Sequence, residues 1–396
     1  MSLSLAMHRI WLAAGAVVIL LVLLFTRFRH PGGELPSLPL GRLKHAASGN
    51  RDGGGSLDNI QNATLGFQKI FVINLPRRVD HRDAVSLAAH LTGLEVEYMD
   101  GVTSLDERTL PFGAEEFGAH KGAIMVEENV ATAIIAEDDI DWDIRVKSQM
   151  TGFARASRLM LQPLPGTTDQ YLDPFRNGAG NLNGVHNFHV DEHVTTEPTS
   201  SPYGDVDSWD MMWLGDCGRF MPEADDEKIP AGRVVIPNDI TVPEPHHIDA
   251  MIGSHQLHDQ YPNHTRVVTR AKFNVCSLAY AISLPGARRM LYELGMKRID
   301  RAADLALQSV CDGQEDRRMA TCLTVHPNII GGHHPISRKS AMSDIGNPAD
   351  GDEWTTVAWT KNVRWSTRGN FEKLIYGETD YIDLFMDGQP EPDFGS

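Results

Sequence analysis

Segments with strand-like and helix-like patterns alternate in the chain from residue 69 onward. Lys69 to Leu75 is a β-branched apolar run that ends at Pro76, and it predicts a strand. Asp80 to Thr92 repeats apolar residues at helical spacing and stops at Gly93, which predicts a helix. Leu94 to Met99 alternates apolar and polar residues as a second strand would. A strand, a helix and a strand in succession are typical of an α/β fold.

Apolar segments farther along the chain extend this pattern. Short buried strands are predicted at Thr132 to Ala136, Met211 to Leu214 and Ser277 to Ile282. Pro285 to Leu294 predicts a helix with proline in its first turn. The chain is therefore expected to form a sheet layered by helices.

The N-terminal region has a different pattern, because residues 10–25 are sixteen uncharged, mostly apolar residues. As a helix they span about 24 Å at 1.5 Å per residue, which suits a thin membrane or flanking arginines that snorkel. We predict a cytoplasmic tail at 1–9, a transmembrane signal anchor at 10–26 and a flexible Gly, Pro and Ser-rich stem at 27–66. A cleaved signal peptide is the alternative, although no small-residue cleavage site follows the apolar run.

The remainder divides into a folded domain at 67–350 and a C-terminal extension at 351–396. Within the domain, residues 166–208 are rich in Gly, Asn, Thr, Ser and Pro without periodicity. This segment is too long for an ordinary connection, so we interpret it as a surface insertion. It is either an ordered loop over the active site or a tolerated elaboration.

Composition narrows the possible partners. Acidic residues outnumber basic ones by 53 to 36, a formal charge of −17, and 41% of residues are hydrophobic. The hydrophobic content excludes a chain that is disordered throughout. Clustered Lys and Arg are missing, which argues against nucleic acid as a partner. Acidic clusters suit cations instead.

Two further features bear on the cellular compartment. The cysteines have no metal-type spacing, so a lumenal domain would form one or two disulfides of undetermined pairing, and buried free thiols are an equally open alternative. Asn62 and Asn263 begin glycosylation triplets that are usable if the domain is lumenal. The four cysteines are Cys217, Cys276, Cys311 and Cys322.

Candidate chemistry is concentrated at Glu137-Asp138-Asp139, which directly follows the strand predicted at Thr132 to Ala136. Ligands of α/β sheets bind at the carboxyl ends of strands. Carboxylates crowded there repel one another unless a cation is bound. Oxygen ligands with open positions suit Mg²⁺ or Mn²⁺ carrying a nucleotide diphosphate. The alternative is a solvated turn without a metal.

Six segments together resemble glycosyltransferase family 25, the family of the lipooligosaccharide and procollagen galactosyltransferases, and more closely its fungal membrane-anchored members. They occur in the family's order and lie between Gln68 and Asn347. The segments are FVINLPRRVDHRD (Phe71 to Asp83), EYMDGV (Glu97 to Val102), AIIAEDDIDWD (Ala133 to Asp143), SPYGDVDSWDMMWLGDCG (Ser201 to Gly218), CSLAYAISLPGARRMLYEL (Cys276 to Leu294) and the helix of Asp304.

The resemblance implies a GT-A-like (Rossmann-like) mixed sheet flanked by helices, preceded by a transmembrane helix. It also implies a metal-dependent transferase that moves a hexose, galactose being favoured, from a UDP-sugar to a glycan or glycoprotein acceptor with inversion. Residues 67–350 would then be a lumenal catalytic domain. The N-terminal anchor would hold it in the Golgi or endoplasmic reticulum membrane as a single-pass type II protein.

The same resemblance assigns roles to individual residues. Asp304 is the preferred general base or site carboxylate, and Asp216 is the second candidate, although fungal relatives commonly carry histidine at the position of Asp216. The donor is expected to contact Arg77, Arg78, Arg82, Asp100 and Asp138. The metal ligands for Mn²⁺, or Mg²⁺, are expected to be Glu137, Asp139 and His333.

One departure from the family bears on activity. The segment Phe117 to Asn129 is shortened, with His120 present but the family's nearby aromatic residue missing. This leaves open a catalytically weak or inactive membrane-tethered homologue that binds nucleotide sugar or glycan, or an error in the gene model. A metal-dependent phosphohydrolase that uses the acidic cluster as a two-metal site is a further alternative.

Overall fold

The computed structural model describes residues 54–101, 123–181, 184–298, 301–337 and 354–390. The predicted tail and anchor, most of the stem and His120 lie outside the described residues. Among the residues that are described, no helix is both long enough and apolar enough to cross a membrane.

The described residues form twelve strands and seven α-helices, with short 3₁₀ turns and one π-helical turn between them. The strands are β1 (Lys69–Asn74), β2 (Glu97–Asp100), β3 (Thr132–Glu137), β4 (Ile140–Trp142), β5 (Asn187–His189), β6 (Met211–Gly215), β7 (Arg233–Ile236), β8 (Arg266–Arg270), β9 (Ala279–Ser283), β10 (Cys322–His326), β11 (Ile330–His334) and β12 (Trp359–Thr360). The helices are α1 (Val79–Thr92), α2 (Ala123–Glu127), α3 (Val146–Leu161), α4 (Ser254–Gln260), α5 (Leu284–Met290), α6 (Ala303–Cys311) and α7 (Phe371–Tyr376).

In the described part of the chain, nine strands form one mixed sheet in the order β2-β1-β3-β9-β6-β10-β8-β7-β5. β1 runs parallel to β2 and β3, and β9 runs antiparallel to both of its neighbours. A smaller sheet has the order β12-β11-β4. The predicted α/β class with a mixed sheet flanked by helices is therefore confirmed.

The central strands of the large sheet are buried on both faces, which explains their continuous apolar sequences. Within β3, Ile134 and Ala136 belong to one hydrophobic cluster and Ala133 and Ile135 to the other. Helices α1 and α3 contribute to the first cluster, and α5 and α6 contribute to the second. Because successive side chains of a strand point to opposite faces, a strand covered on both sides must be apolar throughout.

The ends of two helices follow from local chemistry. Helix α1 ends at Gly93, whose φ of 65° is a left-handed conformation that glycine adopts without strain. Helix α5 begins after Ser283, whose side chain accepts a hydrogen bond from the Gly286 N–H. The predicted helix at Pro285 to Leu294 is α-helical only as far as Met290 and continues as a π-helical turn, Leu291–Lys297.

The folded part begins earlier than the sequence predicted, because residues 54–66 pack onto the domain. Ile60 and Leu65 are fully buried in the core. The hydroxyl of Tyr203 donates to the Leu65 carbonyl at 2.6 Å, and the Lys147 ammonium donates to the Gln61 carbonyl at 3.0 Å. The last part of the predicted stem therefore packs against the domain.

The predicted insertion at 166–208 contributes to the far side of the large sheet. It contains β5, the edge strand, which lies six strand positions from β3, or roughly 29 Å at 4.8 Å per strand. Toward its end, Tyr203 stacks on Phe67 at 4.5 Å between ring centroids. Phe67 precedes β1, so this stacking contact lies away from the carboxyl end of β3. Both the position of β5 and this contact therefore place the insertion far from the acidic triplet. They favour the tolerated elaboration over a loop that covers the acidic triplet.

Two disulfides join all four cysteines. Cys217, directly after β6, is bonded to Cys276, and Cys311 at the end of α6 is bonded to Cys322 at the start of β10. The structure thus supplies the pairing that spacing alone left open.

Candidate active site

The acidic triplet lies where the two sheets meet. β3 ends at Glu137 and β4 begins at Ile140, so Asp138 and Asp139 form the turn between them. Three contacts hold the backbone of this turn. The backbone N–H of Glu137 donates to the Leu278 carbonyl at 2.9 Å, and that of His333 donates to the Asp139 carbonyl at 2.8 Å. The guanidinium of Arg368 donates to the Asp138 carbonyl at 3.0 Å. The turn is therefore fixed from three sides.

Asp138 is committed to contacts with β1 and α1. Asn74 donates to one carboxylate oxygen at 2.6 Å, and His81 Nδ1 lies 2.9 Å from the other. Burial opposes ionisation of Asp138, but the hydrogen bonds from His81 and Asn74 hold its pKa below the ordinary value. These two contacts fix the side chain of Asp138, so Asp138 orients the turn.

Asp139 has the opposite environment. Its Oδ1 atom is buried and has no hydrogen-bond partner. Burial, together with the neighbouring charges of Glu137 and Asp138, raises the pKa of Asp139 to about 6. A buried carboxylate oxygen without a hydrogen-bond donor is a suitable ligand for a cation. The turn therefore fits a divalent metal bound at this oxygen.

Glu137 and Asp304 are brought together by one short segment. Ser277 Oγ donates to Glu137 Oε1 at 3.0 Å, and the Cys276 N–H donates to Asp304 Oδ2 at 2.8 Å. The disulfide from Cys276 to Cys217 fastens this segment to the end of β6. Asp304 lies in the first turn of α6, and no described residue donates to its Oδ1. It is therefore a carboxylate with one oxygen fixed and the other available.

His333 is held in one tautomer by its neighbours. The Thr360 hydroxyl donates to Asp141 at 2.9 Å and lies 2.9 Å from His333 Nδ1. Since the hydroxyl proton is directed at Asp141, Nδ1 must be the donor to Thr360, which leaves Nε2 with a free lone pair. Burial, reinforced by the charge of Arg368, lowers the pKa of His333 to about 3. The ring is neutral and suited to bind a metal through Nε2.

The three predicted metal ligands do not form a ready-made cage. Among the described residues, the one group of His, Cys and carboxylate side chains whose ligand atoms all lie within 4.8 Å of one another is Glu244, His246 and His247. The set Glu137, Asp139 and His333 is not brought together in this way. A cation at the turn would therefore rest on one or two protein ligands, with donor phosphates and water completing the shell, as Mg²⁺ sites commonly do.

The predicted donor arginines surround the amino end of α1. Arg77 is exposed, Arg78 pairs with Asp80 at 2.8 Å, and Arg82 stacks over the Tyr98 ring at 4.3 Å. Their helix directly follows β1, whose last residue Asn74 contacts Asp138. Cationic side chains at a helix N-terminus favour an anion such as a diphosphate.

Asp100 ends β2 directly opposite Asn74 in the strand register, and its side chain is exposed. It therefore lies at the same edge of the sheet as the turn.

Asp216 is a buried structural carboxylate. It forms an ion pair with Arg219 and accepts a hydrogen bond from Asn274 at 2.7 Å on its other oxygen. Burial raises its pKa against the effect of Arg219. Ala136 and Gly215 both pair with Ala279, which places Asp216 about 10 Å from Glu137 across two strand spacings. With both oxygens bonded, Asp216 is a poor candidate for the general base.

Sequence reasoning missed Arg368, which reaches the turn from the predicted C-terminal extension. Its Nε atom is buried without a hydrogen-bond partner, and burial lowers its pKa despite the nearby charges of Asp141, Asp139 and Asp138. It thus supplies positive charge beside the acidic turn. No motif marks Arg368, because it lies far from the triplet in sequence and its position depends on β12 pairing with β11.

Both predicted glycosylation residues are accessible. Asn62 is exposed, with its side-chain oxygen accepting from the Thr64 N–H at 2.9 Å. Asn263 is exposed and donates to Glu244 at 2.9 Å.

Comparison with protein-family models and with curated proteins found no match for this chain. The resemblance to glycosyltransferase family 25 therefore rests on the ordered motifs in the sequence alone.

Proposed function

We propose that this chain is a metal-dependent glycosyltransferase with a GT-A-like catalytic domain. It moves a hexose, with galactose favoured, from a UDP-sugar to a hydroxyl group of a glycan or glycoprotein with inversion. The observation that carries this proposal is the buried, unpartnered oxygen of Asp139 at the carboxyl edge of a mixed α/β sheet. The ordered motifs support the same conclusion.

The metal, Mn²⁺ or Mg²⁺, would be held at Asp139, with Glu137 and His333 Nε2 as the additional candidates. When bound, it supplies positive charge that stabilises the diphosphate leaving group. Asn74 and His81 hold Asp138, so that the turn presents Asp139 in one orientation.

Donor binding is assigned to the edge formed by β1, β2 and α1. The arginines Arg77, Arg78 and Arg82 attract the anionic diphosphate at the helix N-terminus. Asp100, exposed at the end of β2, accepts hydrogen bonds from the nucleoside.

Inverting transfer requires a carboxylate that removes the proton of the acceptor hydroxyl. Asp304 has this role in the proposal, because the Cys276 N–H fixes one of its oxygens while the other is available. Asp216 stays a structural residue, since both of its oxygens are bonded.

The cellular setting is part of the same proposal. The anchor at 10–26 and the stem would place the domain in the lumen of the Golgi or the endoplasmic reticulum. Two disulfides and two exposed asparagines in glycosylation triplets suit an oxidising, lumenal compartment.

The test is UDP release by the full chain, purified in detergent, with a panel of UDP-sugars in Mn²⁺ or in EDTA. We expect UDP release with one sugar, and loss of that release in EDTA and in Asp139→Asn. The control Asp225→Asn, which changes an exposed aspartate outside the acidic turn, should retain release. Donor binding without release in the wild type would instead favour a non-catalytic homologue. Cleavage of simple phosphate esters would favour a phosphohydrolase.

A further inference from the structure

A second group of metal-binding side chains lies outside the candidate active site. Glu244, His246 and His247 each offer one ligand atom, and these atoms lie within 4.8 Å of one another. We propose that this trio, called the 244–247 site below, binds a divalent transition metal of the zinc class and thereby fastens the C-terminal segment 382–390 to the domain. The proposal does not depend on the transferase function.

The local backbone explains why two consecutive histidines share one site. Pro245–His247 is a 3₁₀ turn, and Glu244 is the residue that precedes its first position. Successive side chains of a 3₁₀ turn are about 120° apart, whereas those of a strand point to opposite sides. The rings of His246 and His247 lie 3.9 Å apart between centroids.

The tautomer of His246 suits metal binding. His246 Nε2 lies 2.9 Å from the Gln389 carbonyl, which can only accept, so Nε2 carries the proton. In the neutral ring Nδ1 then carries the lone pair that a metal needs. A hydrogen bond from the other ring nitrogen to a carbonyl is the usual support of a histidine ligand.

Glu244 is also oriented from outside the site. Asn263 donates to Oε1 at 2.9 Å, and the Gly388 N–H donates to Oε2 at 2.6 Å. These two hydrogen bonds fix the orientation of the carboxylate. Each carboxylate oxygen retains a lone pair for a metal.

The composition of the group selects the metal. Two imidazoles and one carboxylate with an open fourth position are typical of Zn²⁺ sites, whereas Mg²⁺ prefers oxygen ligands alone. The 244–247 site therefore differs in chemistry from the acidic turn at Asp139.

The C-terminal segment already contacts every member of the trio. Gly388 contacts Glu244, Gln389 contacts His246, and the Phe385 ring lies 5.4 Å from the His247 ring. A bound metal would rigidify the turn on which these contacts are made. Metal binding and ordering of the segment are therefore coupled.

The experiment uses the untagged full chain, stripped with a chelator and titrated with Zn²⁺ alone against a chromophoric competitor. His246 is exposed, so His246→Gln should keep the fold, and His189→Gln, at an exposed histidine of β5, is the matched control. We expect zinc affinity to fall at least about tenfold in His246→Gln and in Glu244→Gln. It should be unchanged in His189→Gln.

Hydrogen exchange provides the second readout. Zinc should slow exchange of the backbone amides in segment 382–390 of the wild type and of His189→Gln, but not of His246→Gln. The proposal is overturned if the wild type binds no zinc, or if His246→Gln and Glu244→Gln both bind it as tightly as the wild type. It is equally overturned if zinc binds without any change in exchange of the segment.

Discussion

The sharpest prediction concerns the two neighbouring aspartates of the acidic turn. In metal-free protein, burial and the adjacent carboxylates raise the pKa of Asp139 from 3.8 to about 6. That rise corresponds to about 3 kcal/mol in the free energy of unfolding. Because the raised pKa favours the protonated form in the folded state, the destabilisation is fully present above pH 6 and disappears as the pH falls toward 4.

Asp139→Asn removes this charge. In EDTA at pH 7 we expect the free energy of unfolding to increase by at most about 3 kcal/mol. Metal-dependent UDP release should be lost in the same variant. A gain in stability combined with a loss of activity is what a residue kept for function, at a cost in stability, should show.

Asp138→Asn is the matched control, because the neighbouring carboxylate has the opposite environment. Its hydrogen bonds to Asn74 and His81 lower its pKa. We expect this variant to lose about 1–3 kcal/mol of stability. Urea denaturation in EDTA, followed by circular dichroism at pH 4.5 and pH 7, measures both variants. If Asp139→Asn is destabilised and retains full turnover, the Asp139 carboxylate is structural and the reasoning fails.

Three other variants separate catalytic, supporting and structural roles. Asp304→Asn should lower kcat, with little change in the affinity for the UDP-sugar measured by calorimetry. Asp216→Asn should instead cost about 3 kcal/mol of stability in urea denaturation, because it leaves the buried Arg219 uncompensated. Equal effects of the two variants on kcat would contradict this division of roles. Thr360→Val should weaken Mn²⁺ affinity by about tenfold or more, because His333 Nδ1 loses the hydrogen bond that fixes its tautomer. An unchanged affinity in a metal titration would exclude His333 as a ligand. Burial raises the pKa of Asp312 to about 6, so its charged form destabilises the fold above pH 6. Asp312→Asn should increase stability at pH 7 and flatten the decline of stability between pH 4 and 6. An unaltered pH profile of thermal unfolding would refute the raised pKa of Asp312.

The central strands of the large sheet could be predicted because they are buried on both faces. A run such as Thr132 to Ala136 is apolar throughout only where both sides of a strand are covered, and the observed strand extends it by a single residue to Glu137. The end of α1 was equally predictable, since Gly93 has the left-handed conformation that ends helices.

The packing of residues 54–66 could not be predicted in the same way. The composition of this segment resembles that of the preceding stem. Only isolated apolar residues such as Ile60 and Leu65 pack into the core. Isolated anchors produce no period of 2 or 3.6, so pattern analysis assigns such a segment to a linker.

The candidate site was predictable in location but not in the division of roles. Asp138 and Asp139 are adjacent and chemically identical, yet one accepts two strong hydrogen bonds and the other has a buried oxygen with none. That difference is decided by Asn74 and His81, which approach from β1 and α1. Contacts of this kind depend on tertiary structure, so adjacent carboxylates cannot be separated by spacing alone.

The position of Arg368 shows that the predicted C-terminal extension contributes to the candidate site. Glu137, Asp138 and Asp139 would repel one another strongly without a cation, and Arg368 supplies one permanent positive charge beside the turn. One guanidinium cannot neutralise three carboxylates, and it binds the Asp138 carbonyl without reaching Asp139 Oδ1. Arg368 thus offsets part of the repulsion in the metal-free turn and leaves Asp139 Oδ1 without a hydrogen-bond partner. A domain cut at residue 350 would lose this charge together with Thr360, which orients His333, so the proposed site needs residues of the predicted C-terminal extension.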